Sequence, residues 1–340
     1  MPMIRIDNLV KEFRTPKRQP GLLGGLRTLF TQQSTVKRAV DGVSFSIDEG
    51  ELIGYIGANG AGKSTTIKML TGILVPTSGE IEVAGLTPWR QRARNALNIG
   101  VVFGQRSQLW WDLPLIESFK LIAKMYHMER PRYEANLAHF RELLELDEFM
   151  NTPVRQLSLG QRMRGDLAAA LLYDPRIVYL DEPTVGLDVL AKERIRGFIE
   201  TMNRERKTTV LLTTHDLGDV ERLCRRIIVI DQGKLLYDGA ITRLKEAYAP
   251  DRLLAVQFAA GAGADGSDPL AEQAPIDVPG AEFVRWDAGK AWLRFDPNKL
   301  AAHNLIAAIT ARYSISDLSI VEPELEDVIR QIYQERQVVL

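Results

Sequence analysis

One cysteine, Cys224, stands in a chain of 340 residues, so neither an intrachain disulfide nor a cysteine-based zinc site can be built from it. Its setting in VERLCRRIIVI reads as a small buried apolar residue rather than a reactive thiol. A charge excess is lacking too: 43 Lys and Arg against 44 Asp and Glu leave a net charge of -1. That balance argues against a broad electrostatic footprint for nucleic acid, and no nucleic-acid partner is expected. No apolar run approaches the ~18 residues of a membrane-spanning helix. The longest, LAAALLY at 167–173, suits a buried helix. The opening MPMIRIDNLV lacks the apolar region of a signal peptide, so the expectation is a cytoplasmic chain that meets a membrane only through a partner or a surface helix. Sustained heptads are missing as well.

What is present begins with GYIGANGAGKST at 54–65. Gly57, Gly62, Lys63 and Ser64 fit G-x-x-x-x-G-K-[ST], the Walker A loop, whose backbone N–H groups wrap a polyphosphate. Glycine supplies the positive φ angles and close backbone approach that such a nest needs. The segment Asn59, Gly60, Ala61, Gly62, Lys63, Ser64 and Thr65 is therefore the candidate nucleotide cradle. Lys63 would meet the β- and γ-phosphates and Ser64 Oγ would ligate Mg²⁺, while TTIKML starts a helix with its positive dipole end toward the anion. The strand-like ELIGYI before it and the helix-like TTIKMLTGIL after it supply the expected context.

The fold expectation is α/β: a P-loop NTPase sheet core with a helical subdomain, followed by a small C-terminal α+β domain. MIRIDNLVKEF and VDGVSFSID read as strands leading to the phosphate loop, and NIGVVF, RIVYLDEP and TTVLLTTHD as further apolar strands of a mainly parallel sheet covered on both faces. Residues 106–172 are helical in pattern, and RIIVIDQGKLLYDG predicts a hairpin turning at Gln232 and Gly233. Composition shifts after Tyr248, which divides the chain into 1–248 and 249–340. A basic insertion, 14–38, holds six Lys or Arg and no acid. Leu22, Leu26, Leu29 and Phe30 lie in it at helical spacing, either an amphipathic helix for a membrane surface or partner, or a loop folded over its own domain.

Later motifs narrow the chemistry. Asp181 ends a buried strand, where its carboxylate can hold a Mg²⁺ hydration shell, and Glu182 beside it is the candidate general base for an attacking water. His215 follows another apolar run and emerges at the strand edge where ligands of open parallel sheets bind, in reach of the γ-phosphate or the base. Gln105, past NIGVVFG, stands at a strand end from which its amide could reach Mg²⁺ or the water. Asn298-Lys299-Leu300-Ala301 lacks the aspartate of a GTP-reading motif, so GTP is disfavoured. Phe13, ending the first strand, either stacks on adenine or packs in the core.

GANGAGKST, Gln105, LSLGQ at 157–161, VYLDEP at 178–183, GLD at 186–188 and the THD containing His215 occur in the order and approximate spacing of an ABC-transporter nucleotide-binding domain, which residues 1–248 resemble. The resemblance implies an ATPase that works as a head-to-tail dimer of two copies. Ser158, Gly160 and Gln161 of one copy would cap the nucleotide held by the phosphate loop of the other, and Asp188 would link the two sites. Leu159 departs from the commoner LSGGQ, which requires a negative φ and a side chain turned off the nucleotide. Within that family the chain resembles ATP-binding subunits of bacterial ABC-2-type exporters, similar to sodium-export and drug-resistance ATPases. A family coupling helix from a membrane permease would meet the region of Trp110 and Trp111, holding the chain on the inner face of the plasma membrane. A soluble ABC ATPase of the translation or DNA-repair type and an importer ATPase are the alternatives.

Overall fold

The computed structural model describes residues 2–16, 34–104, 106–248, 251–263 and 275–338. Strands β1 (Ile4–Pro16) and β2 (Ser34–Ile47) pair antiparallel, with Ile4 opposite Ile47 and Pro16 opposite Ser34. After β3 (Leu52–Gly57) and helix α1 (Lys63–Leu70), β4 (Ser78–Val83) pairs with the free edge of β1, giving a three-stranded sheet β2-β1-β4. The chain runs on through α2 (Arg92–Asn98), β5 (Ile99–Phe103), α3 (Leu115–Met125), α4 (Arg130–Leu143) and α5 (Leu159–Leu171). Then come β6 (Ile177–Asp181), α6 (Val189–Arg206), β7 (Thr209–Thr213), α7 (Leu217–Leu223), β8 (Arg226–Asp231) and β9 (Lys234–Ala240).

The second sheet has the order β5-β6-β7-β3-β8-β9, parallel from β5 to β8. Its central strands read as unbroken apolar runs because both faces are covered; β7 is buried at all five positions. Ile53, Tyr55, Leu211 and Ile228 from this sheet and Ile4, Val43 and Phe45 from the three-stranded one belong to a single core cluster. The turn into β9 has positive φ at both Gln232 and Gly233, the combination that a two-residue type I′ hairpin demands.

The first two strands thus belong to a separate antiparallel layer rather than to the parallel sheet. Both ends of the basic insertion, Arg14–Pro16 and Ser34–Arg38, are strand. The candidate helix carrying Leu22, Leu26, Leu29 and Phe30 lies outside the described residues.

Two compact units divide the chain, Met1–Gly239 and Ala240–Leu340. The second begins before the composition change at Tyr248, because helix α8 (Ile241–Tyr248) packs on the last helix of the chain. Strands β10 (Arg252–Gly263), β11 (Ala281–Asp287) and β12 (Lys290–Phe295), helix α9 (Ala302–Thr310), strand β13 (Tyr313–Val321) and helix α10 (Leu325–Val338) complete it. Its antiparallel sheet, ordered β11-β12-β10-β13, buries Leu254, Phe258, Leu293 and Phe295 beside Leu305 of α9. No helix among the described residues is long and apolar enough to cross a membrane.

Candidate functional site

The loop between β3 and α1 owes its shape to three glycines with different needs. A Cβ on Gly57 would collide with the Ile230 carbonyl of neighbouring β8, and one on Gly62, at φ +112°, with the Ala39 carbonyl. Gly60 has open space around it but a φ of +82°, so its requirement is conformational alone. Asn59 is exposed, Ala61 buried and Thr65 half-buried. Lys63 is buried and donates from Nζ to the carbonyls of Gly57 (2.6 Å) and Ala58 (3.3 Å), bridging the loop from beneath. Burial holds its pKa below the usual lysine value, against the pull of Glu182 and Asp181.

Parallel register explains why the carboxylates lie next to this loop. Phe103, Asp181 and Thr213 are consecutive partners at the ends of β5, β6 and β7, so the residues just past each strand emerge at one edge. Asp181 accepts hydrogen bonds from Thr213 Oγ1 (2.5 Å) on one oxygen and from Ser64 Oγ (3.2 Å) on the other. Glu182 sits at φ +58°, a backbone conformation costing about 1–3 kcal/mol for a residue with a side chain. It is held there by its N–H donating to the Thr213 carbonyl at 2.9 Å. Gly104 donates to the Asp181 carbonyl at 2.7 Å and has no room for a Cβ, which would stand 2.6 Å from the Glu182 carbonyl. His215 Nε2 is 2.7 Å from Glu182 Oε1, orienting one carboxylate oxygen. Ser64, Asp181, Glu182, Gly104, Lys68 and Arg106 face a cavity of about 390 Å³.

The donor set suits Mg²⁺. One hydroxyl and one carboxylate are hard oxygen ligands, and Mg²⁺ is ordinarily completed by substrate phosphates and water rather than by an all-protein cage. No cluster of three or more His, Cys, Asp and Glu suited to a metal occurs among the described residues. Gln105, the third candidate metal and catalytic residue, lies outside the described residues.

Behind the carboxylates lies a charged network that motif reading passes over. Asp219, on α7 and essentially buried, accepts from Thr184 Oγ1 just past Glu182, and from the Arg196 guanidinium of α6. Arg196 and Arg222 both reach Glu193, and Lys192 reaches Asp216, the residue after His215. One carboxylate thereby ties the segment after Glu182 to the helix after His215. Asp219→Ala is expected to cost about 1–3 kcal/mol, since it takes from the half-buried Arg196 and from Thr184 Oγ1 the buried carboxylate they share. Thermal unfolding measures it, and a Tm unchanged from the parent would show that Glu193 alone suffices. An aspartate inside the first turn of a helix following a candidate catalytic histidine was the available signal.

The remaining candidates stand elsewhere in this unit. Ser158 caps α5, its Oγ accepting from Gln161 N–H (3.2 Å) while Gln161 Oε1 accepts from Ser158 N–H (3.0 Å), a reciprocal capping box. Leu159 is absent from the positive-φ residues and is 38% exposed, and a Cβ on Gly186 would lie 3.1 Å from its Cδ2. Its side chain thus leans on the GLD segment. A Cβ on Gly160 would meet only ordinary contacts, 3.5 Å from Ala191 Cβ and 3.9 Å from Leu187 Cδ2. Asp188 caps α6 by accepting from Ala191 N–H at 2.8 Å. Among the described residues no hydrogen bond joins Ser158, Gly160, Gln161 or Asp188 to the phosphate loop of the same chain. Phe13 is 39% exposed with Lys11 Nζ 5.3 Å from its ring centroid, which removes the core-packing reading. Trp110 and Trp111 are exposed, and Arg162 of α5 lies 5.6 Å from the Trp111 ring. Cys224 is buried and its thiol pushed well up by desolvation, which makes it inert.

Comparison with known proteins agrees with this geometry. The family described as "ABC transporter" matches residues 40–185. The chain is 34% identical over 218 residues to the ABC transporter ATP-binding protein NatA of Bacillus subtilis, covering 64% of this chain and 88% of that one. It is 39% identical over 215 residues to the Nod factor export ATP-binding protein I of Burkholderia pseudomallei, covering 62% and 69%. Among solved structures, a dimeric ATP-binding cassette in a post-hydrolysis state bound to ADP and Pi superposes with a TM-score of 0.59 at 27% identity, over 70% of this chain and 99% of that one.

Proposed function

The chain belongs to the ATP-binding proteins of ABC transporters, and from that premise we propose that it is the ATP-hydrolysing motor of an exporter whose membrane permease is carried on separate chains. The observation that carries the reading is the contact of His215 Nε2 with Glu182 Oε1 at 2.7 Å, beside an Asp181–Ser64 pair at the mouth of the phosphate loop. The exporter direction rests on the relative named for Nod factor export.

In this reading the backbone of Asn59 to Thr65 and the ammonium of Lys63 bind the phosphates, and Phe13 stacks on the adenine. Ser64 and Asp181 would hold Mg²⁺, which supplies charge neutralisation at the β- and γ-phosphates when bound. Glu182 accepts a proton from the water as its oxygen bonds to the γ-phosphorus. The bond from that phosphorus to the bridging oxygen breaks with its electron pair, leaving ADP and phosphate. His215 holds Glu182 in line, and Gln105 is assigned to the water and the cation. The exposed Leu159, Val185, Val189 and Leu190 flank Ser158 and Asp188, and a second copy laid head to tail would cover them. Ser158, Gly160 and Gln161 would then meet the partner's nucleotide, and ATP would tie the closed dimer together.

Trp110 and Trp111 offer large amphipathic rings of the kind that anchor interfaces, and are assigned to the permease. That contact would place the chain on the inner face of the membrane.

Affinity purification of the tagged Glu182→Gln chain from detergent-solubilised membranes of its host tests the assignment. One or two multi-span proteins are expected by mass spectrometry. Recovery of ribosomes or nucleic-acid machinery in their place would shift the reading to a non-transport ATPase.

A further inference from the structure

Asp166 lies on α5 about two turns past Ser158, is 5% exposed, and has no part in the chemistry above. A buried carboxylate is costly unless several donors meet it. Its donors come from the segment that leaves the catalytic cavity. Ser107 Oγ donates to Oδ1 at 2.9 Å and Gln108 N–H to the same oxygen at 3.0 Å, while Gln108 Nε2 donates to the Asp166 carbonyl at 3.0 Å. Ser107 Oγ in turn accepts from Leu109 N–H at 3.1 Å. Burial pushes the Asp166 carboxyl up to about 6, against the bonds from Gln108 and Ser107 and the charge of Arg162.

Two further contacts fasten the same segment to the same helix. Gly165 gives close approach, since a Cβ there would stand 2.9 Å from Leu115 Cδ1 and 3.1 Å from Leu109 Cδ1. One turn back toward the N-terminus, Arg162 lies over Trp111. Arg106, the residue before Ser107, lines the cavity that holds Glu182.

We infer that Asp166 is a positioning residue that locks residues 107–111 onto α5, so that the exposed tryptophans, the cavity wall at Arg106 and the Ser158 end of α5 move as one body. The lock itself follows from geometry; its use in coupling rests on the motor reading above. A displacement at Trp110 and Trp111 would reach Ser158 through α5 and Glu182 through Arg106, with no contact of its own to nucleotide.

Asp166→Asn keeps Oδ1 as an acceptor for both donors, whereas Asp166→Ala removes it, and Ser107→Ala removes one donor with the helix intact. Hydrogen exchange of the nucleotide-free chain reads the lock directly. Asp166→Ala is expected to speed exchange at the Gln108 and Leu109 amides by about tenfold or more, Ser107→Ala to act in the same direction, and Asp166→Asn to stay near the parent. Steady-state ATP hydrolysis reads the use: Asp166→Ala is expected to lower kcat about tenfold with KM for ATP within about twofold, and Asp166→Asn to recover most of it. Unchanged exchange in both Asp166→Ala and Ser107→Ala would overturn the lock, whether or not the chain hydrolyses ATP. Faster exchange with unchanged kcat, or a fall in kcat that Asn does not recover, would overturn the positioning role. A parent chain that does not hydrolyse ATP would count against the motor reading and leave the exchange result to decide the lock.

Discussion

Glu182→Gln is expected to bind ATP as the parent chain does and to hydrolyse it about 10²–10⁴-fold more slowly, the range that a positioned general base contributes. The substitution is nearly isosteric, and an amide oxygen can take the place of the carboxylate oxygen that lies 2.7 Å from His215 Nε2 in the parent. The Glu182 N–H bond to Thr213 is untouched, so the φ of +58° that aims the side chain persists. What is lost is the capacity to take a proton from water. Because a closed dimer would be released only by hydrolysis, the variant should also elute as an ATP-dependent dimer on size exclusion. Phosphate release measured under saturating ATP is the direct check, and turnover equal to the parent's would remove Glu182 as the base. His215→Ala removes only the group that orients it, so a smaller loss is expected there.

The parts of this site legible in the sequence are those where one strand ends and one side chain comes next. The sequence alone sets Asp181 and His215 at one edge, because parallel strands bring their carboxyl ends side by side; the register of Phe103, Asp181 and Thr213 is that rule at work. The phosphate loop was legible because glycines at 57, 60 and 62 satisfy requirements that other residues cannot. The layer formed by β1, β2 and β4 was not. Its alternating strands carry no mark of which sheet they join, and the closure of β4 onto β1 depends on pairing across about 70 residues.

Buried carboxylates were the larger omission. Asp166 within LGQRMRGDLAAAL and Asp219 within LGDVERL look like solvated helix positions, since a single acid among polar neighbours leaves the apolar period undisturbed. Their meaning lies in partners 58 and 35 residues away, Gln108 and Thr184, which no local pattern connects. Phe13 shows the converse. Its place in a strand favoured neither stacking nor core, and exposure alone decided against the core.

Lys63→Ala should raise the Kd for ATP by about 10²–10⁴-fold, the equivalent of losing two hydrogen bonds from a charged donor at roughly 1.5–3 kcal/mol each. In the nucleotide-free chain the ammonium is already desolvated beneath the loop and donates to the Gly57 and Ala58 carbonyls. Binding therefore does not carry it out of water, and the phosphate meets a cation whose dehydration was met on folding. Alanine removes that cation and also the bridge holding the loop carbonyls together, so the backbone N–H groups lose their common focus as well. Arginine is not a conservative exchange here, because its planar fork cannot reproduce a compact ammonium among carbonyls set this close. Calorimetric titration with ATP gives the affinity, and unfolding of the same sample shows whether the unit around the loop is intact. Tight binding by a folded Lys63→Ala chain would contradict the assignment of residues 59–65 as the phosphate cradle. Weak binding by that folded chain, together with retained binding by Glu182→Gln, would separate the group that holds the nucleotide from the group that cleaves it, as their placement at the start of α1 and just past the end of β6 implies.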